Sequence, residues 1–418
     1  MIAQSENGAA VSGAPLTTTV ANQAVPGLLK NAIDERIVKI RPMATPIDQL
    51  SRCYGSRPCN SMKVDYYSVD VKATSAKLTK AVTGDDLNIV DGETRLTLST
   101  TDNAIFSVSE TVLIPSAKGA GDEPLVGYVA SASRDGGVEI VWLNAAFGDD
   151  DAPAFGTIAV GAEVVRMGRA AKELDVQTAQ YEALPKKRTN NCQIFKMQIE
   201  QSTLQKLANK EVGWTLSDQE EVAIIDMRQG MEKNFLFGHK AVYTDPAGGD
   251  EVYLTGGIWN QTDKTFVYKP SSMSAKTLVS MCRKAFTGNN GSGRKILIGG
   301  SGLIENLSNV EYNKVIESGK TMVRWGIEFK EIRSNFGSLY VLHSEIFDQC
   351  GHPNDGFILD PDFLTKYSHI PFHAETLNLR NSGQRNSDAV VLTEASCLVL
   401  RHPNAHMRVV ANTNLSVG

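Results

Sequence analysis

"LSDQEEVAIIDMRQGMEKNFLFG", Leu216 to Gly238, is the stretch on which the fold turns. Glu220, Ile224, Met227, Met231 and Phe235 step along one side at α-helical intervals. Ser217 and Glu220 make an S-x-x-E capping box, whose hydroxyl and carboxylate satisfy backbone donors that a first helical turn leaves unpaired. Arg228 and Glu232 stand one turn apart and can pair on another side. Gly238 supplies the stop. About 20 residues at about 1.5 Å each give a rod of roughly 30 Å, the breadth of a small domain. Its carboxylates have no partner at metal-ligand spacing and read as a cap and a solvated face.

Upstream of the rod the period changes. From Met62, "MKVDYYSVDVKATSAKLT" alternates apolar and polar residues, the pattern of one long half-exposed strand. Between Ala76 and Ala171 short apolar runs such as "RLTLST" and "VEIVWLNA" alternate with Gly, Asp and Pro, as in a small all-β barrel or sandwich. Strand texture resumes in "DVQTAQYEALPKKRTNNCQIFKMQIEQS", so the simplest reading is a long β hairpin carrying an inserted domain. Residues 1–27 are small and polar, an arm that gains order against a partner. "NAIDERIVKIRPMATPIDQLSRC" predicts one or two short helices, with Pro42 as a stop.

Downstream, "SSMSAKTLVSMCRKAFTG" reads as a helix, "RKILIGG" as a buried strand and "SGLIENLSNVEYNKVIESG" as a second helix. "MVRWGIEFKEIRSNFGSLYVLHSEIF" is a strand pair turning at about Ser334 to Gly337. The last stretch, "AVVLTEASCLVLRHPNAHMRVV", reads as two strands turning at His402, Pro403 and Asn404. The class is α+β, without an internal repeat.

Charge and composition narrow the function. With 42 Lys and Arg against 47 Asp and Glu in 418 residues, the net charge is -5, and no global basic field draws nucleic acid. DNA contact would be local and nonspecific. No apolar run approaches the roughly 20 residues of a membrane span, and the N-terminus lacks the basic start of a secretory signal. Both features predict a soluble chain that is not exported. Six cysteines occur without a CxxC pair, which suits reduced thiols.

Each motif that resembles a reactive site fails on its chemistry. "GNNGSGRK" puts Arg294 and Lys295 where a phosphate loop needs Lys and Ser or Thr, and it leaves a helix where a phosphate loop enters one. "IGGSGLIENL" lacks the last glycine of a nucleophile elbow, so Ser301 reads as a helix N-cap with Glu305 in the first turn. Proline interrupts both histidine pairs, His369 with His373 and His402 with His406, and these read as solvated loop histidines. Cys350 and His352 are similarly isolated. No catalytic residue, cofactor site or metal site is predicted. "PKKRTNN" (Pro185 to Asn191) is the densest basic run: a solvated turn, or an electrostatic contact to an acidic surface such as "GDDDAP" on a neighbouring chain.

The order of these parts, an arm, a long hairpin, a long helix, an α/β region and returning strands, resembles the major capsid proteins of tailed bacteriophages. The closer resemblance is to a branch with a small domain inserted at the extended E-loop. "RTNNCQIFKMQIEQSTLQKLA" looks like that branch's segment leading back from the E-loop, and "MEKNFLFG" like the end of its spine helix. "SNFGSLYVLHSEIF", "FILDPDFLTKYSHIPF" and "AVVLTEASCLVLRHPNAHMRVV" look like its later strands.

The resemblance implies a Hong Kong 97-like fold: an N-arm at 1–61, E-loop strands at 62–75 and 172–205, and the inserted β domain at 76–171. A P-domain with the spine helix would follow at 206–250, an A-domain at 251–330 and returning strands at 331–418. It implies a subunit that assembles with itself into pentamers and hexamers of an icosahedral head, together with a portal protein, with a separate scaffold or none, and with or without decoration proteins. The shell would form in the host bacterial cytoplasm and enclose double-stranded DNA held only by nonspecific contacts. Lys186, Lys187, Arg188 and Asn191 are the candidate subunit contacts; Ser217, Glu220, Met227, Met231, Phe235 and Gly238 are the structural positions of the spine. The rival readings are a tail or decoration protein and an enzyme with a β accessory domain.

Overall fold

The computed structural model describes residues 45–412, apart from 54–55, 69–71, 84–85, 91–92, 120–121, 145–155, 175–184, 208–215, 247, 289–290, 311–316, 325–326, 382 and 384, together with two-residue strands at Gln4–Ser5 and Gly8–Ala9. The rest of the N-terminal arm, its helix expected around Ile33 to Ile40, and "GDDDAP" lie outside the described residues. The chain divides into two compact units, Tyr67–Lys187 and the remainder.

The Tyr67–Lys187 unit is built on one seven-stranded sheet in the order Ser75–Lys77, Glu163–Arg169, Glu110–Lys118, Pro124–Ser133, Gly137–Trp142, Glu93–Leu98, Leu87–Val90. Its paired strands are antiparallel. A bridge between Leu78 and Thr100, with Thr101 N–H donating to the Lys77 carbonyl, joins the first strand to the sixth and closes the sheet toward a barrel. Alternate residues fill its interior, among them Leu96, Leu98, Val112, Ile114, Val129 and Ile140. The alternating stretch from Met62 does not make one strand. Lys63–Ser68 and Ser75–Lys77 belong to different sheets, and the period of two carries across the break because both pieces bury one face.

The other unit holds two larger sheets. One has four strands in the order Gln193–Ser202, Ser387–Leu400, Leu364–Asn378, Ser56–Pro58. The second has seven, in the order Lys264–Tyr268, Met407–Ala411, Gly356–Leu359, Arg294–Gly299, Gly337–His343, Ile327–Ser334, Glu317–Arg324. Its Arg294–Gly299 strand is buried on both faces from Lys295 onward, as a parallel neighbour of Gly337–His343 should be. The strand pair turns between Ser334 and Gly337 as its spacing predicts. A boundary at residue 330 falls inside Ile327–Ser334, so the stretches 251–330 and 331–418 share this sheet. The last two strands do not pair with each other. Ser387–Leu400 lies in the four-stranded sheet and Met407–Ala411 in the seven-stranded one, because the 3-10 turn at Pro403–Ala405 carries the chain between them.

The rod is a single helix, Leu216–Phe237. It begins at Leu216, which puts Ser217 in its first turn. Met227, Met231 and Phe235 are buried in one core with Ile47 and Leu50 of helix Pro46–Cys53 and with Leu392 and Leu398 of the four-stranded sheet. Gly238 ends the helix because nothing larger fits: a Cβ there would lie 2.5 Å from the Asn234 carbonyl oxygen and 2.7 Å from that of Thr255.

A buried polar joint and the candidate assembly surface

One charged residue of the spine lies away from its solvated face. Glu232 is fully buried, on the same stripe as Met231, Phe235 and Leu236. Its two carboxylate oxygens accept the backbone N–H groups of Ile47 and Asp48, each at 2.8 Å. Those are two of the donors that the start of helix Pro46–Cys53 cannot satisfy internally. One carboxylate of the spine therefore caps a helix 184 and 185 residues away in sequence. Burial pushes the Glu232 carboxyl up to about 8, against the pull of the two N–H bonds.

Around it lies a wider joint. Arg228, expected to pair with Glu232, donates to Asp48 at 2.8 Å and covers the Phe372 ring. Lys366, buried in strand Leu364–Asn378, donates to Asp48 at 3.1 Å and to Glu394 at 2.7 Å. Ser396 donates its hydroxyl to Glu394 at 2.9 Å. Every member thus has at least one partner, the condition on which buried charge is tolerated.

The predicted contact residues are divided by the structure. Lys186 and Lys187 are exposed. Arg188 is bound within the chain, its guanidinium 2.6 Å from Asp263. Asn191 is buried and cannot serve as a surface contact; its amide donates to the carbonyls of Ala241 and Leu254, on the two strands of the hairpin Ala241–Thr244 and Glu251–Leu254. Asn190, which sequence reasoning passed over, is the tighter knot. It donates to the carbonyls of Gly256 (3.1 Å) and Leu398 (2.7 Å) and accepts the Gly256 N–H (2.8 Å). Among the large apolar side chains that stand out on the surface are Leu204 and Leu207 of the short helix Thr203–Leu207, 79% and 78% exposed.

The remaining chemical motifs resolve into structure. Ser301 is the first residue of helix Ser301–Ser308 rather than its cap, which is Gly300. Its hydroxyl donates to Asp348 at 2.7 Å, and the same carboxylate contacts His343 at 3.3 Å. A nucleophilic serine needs the imidazole between the two; here the carboxylate occupies that place. Lys295 of "GNNGSGRK" is buried and donates to the carbonyls of Ala285 and Ala405. His369 and His373 lie in a strand, and each turns its Nδ1 to a backbone carbonyl, of Cys59 and Pro371 respectively. His406 is no solvated loop residue. It is fully buried, its Nδ1 accepts the Asp360 N–H, and burial first, then the charges of Lys295 and His402, lowers its pKa to about 3. Among the described residues no three His, Cys, Asp or Glu side chains converge to hold a metal ion, and no helix is long and apolar enough to cross a membrane.

The joint fixes helix Pro46–Cys53 against the spine, and Lys186, Lys187, Leu204 and Leu207 stand exposed. The sequence pattern of the SU10 major capsid protein family matches residues 13–416. The chain belongs to that family. Its function is that of a major capsid protein of a tailed bacteriophage, and its fold class is the mixed α+β, Hong Kong 97-like one that goes with it. Similar solved structures include the capsid of a native GTA particle, at 9% identity over 95% of this chain and 100% of that one with a TM-score of 0.49. A Gordonia phage Cozz protein is 11% identical over 96% and 97% at a TM-score of 0.47, and one from Mycobacterium phage Bobi 9% identical over 94% and 98% at 0.43. A comparison with curated protein sequences gives no match.

Proposed function

We propose that copies of this chain pack into pentamers and hexamers that tile the head, with a structural rather than enzymatic role. The family match over residues 13–416 carries this reading. Dissimilar patches that meet head to tail close into rings, and the rings then tile a shell. We assign Lys186 and Lys187, with Leu204 and Leu207, to the contacts between subunits; buried apolar area of this kind supplies most of the energy of association. The domain scheme goes with the proposal, its bounds moved to those of the fold: an arm at 1–61, the insert as the Tyr67–Lys187 unit, a spine-bearing P-domain from 206, and an A-domain whose sheet continues past 330 into the returning strands. So do a portal, separate scaffolding and decoration proteins, assembly in the host cytoplasm, and packaged DNA held only loosely by a subunit of net charge -5.

Electron microscopy of the purified full-length chain tests the core of this. Closed shells or tubes are the expected result, and Leu204→Asp with Leu207→Asp should abolish them while leaving the circular-dichroism spectrum unchanged. Rings or fibres from the parent chain would refute the proposal, and normal shells from the double variant would refute the assigned contact.

A further inference from the structure

The sequence scatters its cysteines, but the fold draws three into a line. Cys59 Sγ lies 3.7 Å from Cys192 Sγ, and Cys192 Sγ lies 3.6 Å from Cys397 Sγ, across 133 and 205 residues of chain. Cys192 and Cys397 are buried, with Val64, Tyr66 and Val399 around them, whereas Cys59 is partly open to solvent. The backbone holds the central thiol in place: Cys192 N–H donates to the Met62 carbonyl at 2.7 Å. Cys59 follows the three-residue edge strand Ser56–Pro58, and its N–H donates to the Ser368 carbonyl at 3.0 Å.

Two pairings are within reach, and the surroundings separate them. Cys397 lies inside strand Ser387–Leu400, whose ladder with Gln193–Ser202 starts at the residue next to each thiol, Gln193 opposite Ser396. That backbone is fixed on both sides, and neither sulfur meets an oxidant. Cys59 follows an edge strand and is partly open to solvent. A disulfide needs its sulfurs about 2.05 Å apart, so the contact must shorten by about 1.6 Å, which side-chain rotation at Cys59 can supply.

We propose that Cys59 and Cys192 form an oxidation site, at which a peroxide converts the two thiols into a disulfide within the chain. In the first step the Cys59 sulfur attacks a peroxide oxygen, breaking the O–O bond to give a sulfenic acid and water. In the second the Cys192 thiolate attacks the Cys59 sulfur and displaces hydroxide, which takes up a proton to leave a second water. The two thiols together lose two electrons, and one hydrogen peroxide is reduced to two waters. The environment suits the second step, because hydrogen bonding from Cys397, then from Cys59, with the charge of His369, lowers the Cys192 thiol to about 7; burial raises that of Cys59 to about 11, which makes the first step the slow one. The bridge would close one loop around everything between residues 59 and 192, the whole Tyr67–Lys187 unit included. A cross-link over so long a loop restricts the unfolded chain strongly.

The test uses the full-length chain, as subunits and as assembled particles, treated with hydrogen peroxide at neutral pH, alkylated and mapped by mass spectrometry without reduction. The expected product is a peptide pair joined through Cys59 and Cys192, with a rise in Tm that dithiothreitol reverses. Cys59→Ser, at a partly exposed position, should lose both the cross-link and the rise, and Cys397→Ser should keep both. A Cys192–Cys397 bridge, sulfinate on Cys59 without a cross-link, or thiols that all remain alkylatable would each overturn the proposal.

Discussion

Replacing Glu232 by Ala tests the polar joint at its centre. Two backbone N–H groups, of Ile47 and Asp48, lose their only carboxylate acceptor in a place closed to water. An unsatisfied buried donor costs about 1–3 kcal/mol, so the pair costs about 2–6 kcal/mol, concentrated on helix Pro46–Cys53. At about 1.4 kcal/mol per factor of ten, amides of that helix should exchange with deuterium at least about 30-fold faster than in the parent. Hydrogen-exchange mass spectrometry on the full chain reads this locally, with Asp226→Ala, on the exposed side of the same spine, as the control. The pH dependence follows from the direction of the shift. The folded carboxyl, at about 8, holds its proton above the ordinary value of 4.5, so the folded state binds more protons and the stability it contributes falls as pH rises through that window. Glu232→Ala should remove that slope. Exchange in residues 46–53 no faster than about twice the parent rate would refute the capping role, since even one lost hydrogen bond is worth about 1 kcal/mol.

Two further outcomes follow from the same structure. Lys366→Met leaves Glu394 without a cation and Asp48 with Arg228 alone, and should lower unfolding stability by about 3–5 kcal/mol, read as a denaturant midpoint; an unchanged midpoint would show that neither Lys366 ion pair matters. His406 works in the sense opposite to Glu232: its folded pKa of about 3 lies below its ordinary 6.5, so the stability it contributes is complete above 6.5 and is lost as pH falls through that window, and His406→Gln should flatten the slope in denaturant midpoints taken from neutral to acid pH.

The long helix and the strand-rich texture of the Tyr67–Lys187 stretch are legible because each rests on local period. The burial of Glu232 was missed, although the signal was present. Positions 227, 231 and 235 and positions 228, 232 and 236 are neighbouring rows of one helix, so Glu232 falls within the apolar stripe. Its apparent i,i+4 partner Arg228 suggested a surface pair, and only the arm helix, brought in from nearly two hundred residues away, reveals the real acceptor role. Asn191 misled for the same reason: a polar residue beside a basic run reads as exposed until the hairpin carbonyls it satisfies are known. The separation of the last two strands into different sheets is likewise a matter of long-range pairing, on which period is silent.

The composition of the joint explains why it is polar at all. Its cations, Arg228 and Lys366, face the carboxylates of Asp48, Glu394 and Glu232, so full ionisation leaves an excess of one negative charge in a dry core. A proton on Glu232 removes that excess, which accords with the upward shift of its pKa. An apolar joint of the same volume could be as stable, but it would let helix Pro46–Cys53 slide or rotate against the spine at little cost. Two backbone N–H groups held at 2.8 Å by one carboxylate, with Asp48 fixed between a guanidinium and an ammonium, admit one position of that helix. Specificity of placement, more than added stability, is what the buried charges contribute. A subunit that must present the same surfaces to many neighbours depends on that one seat.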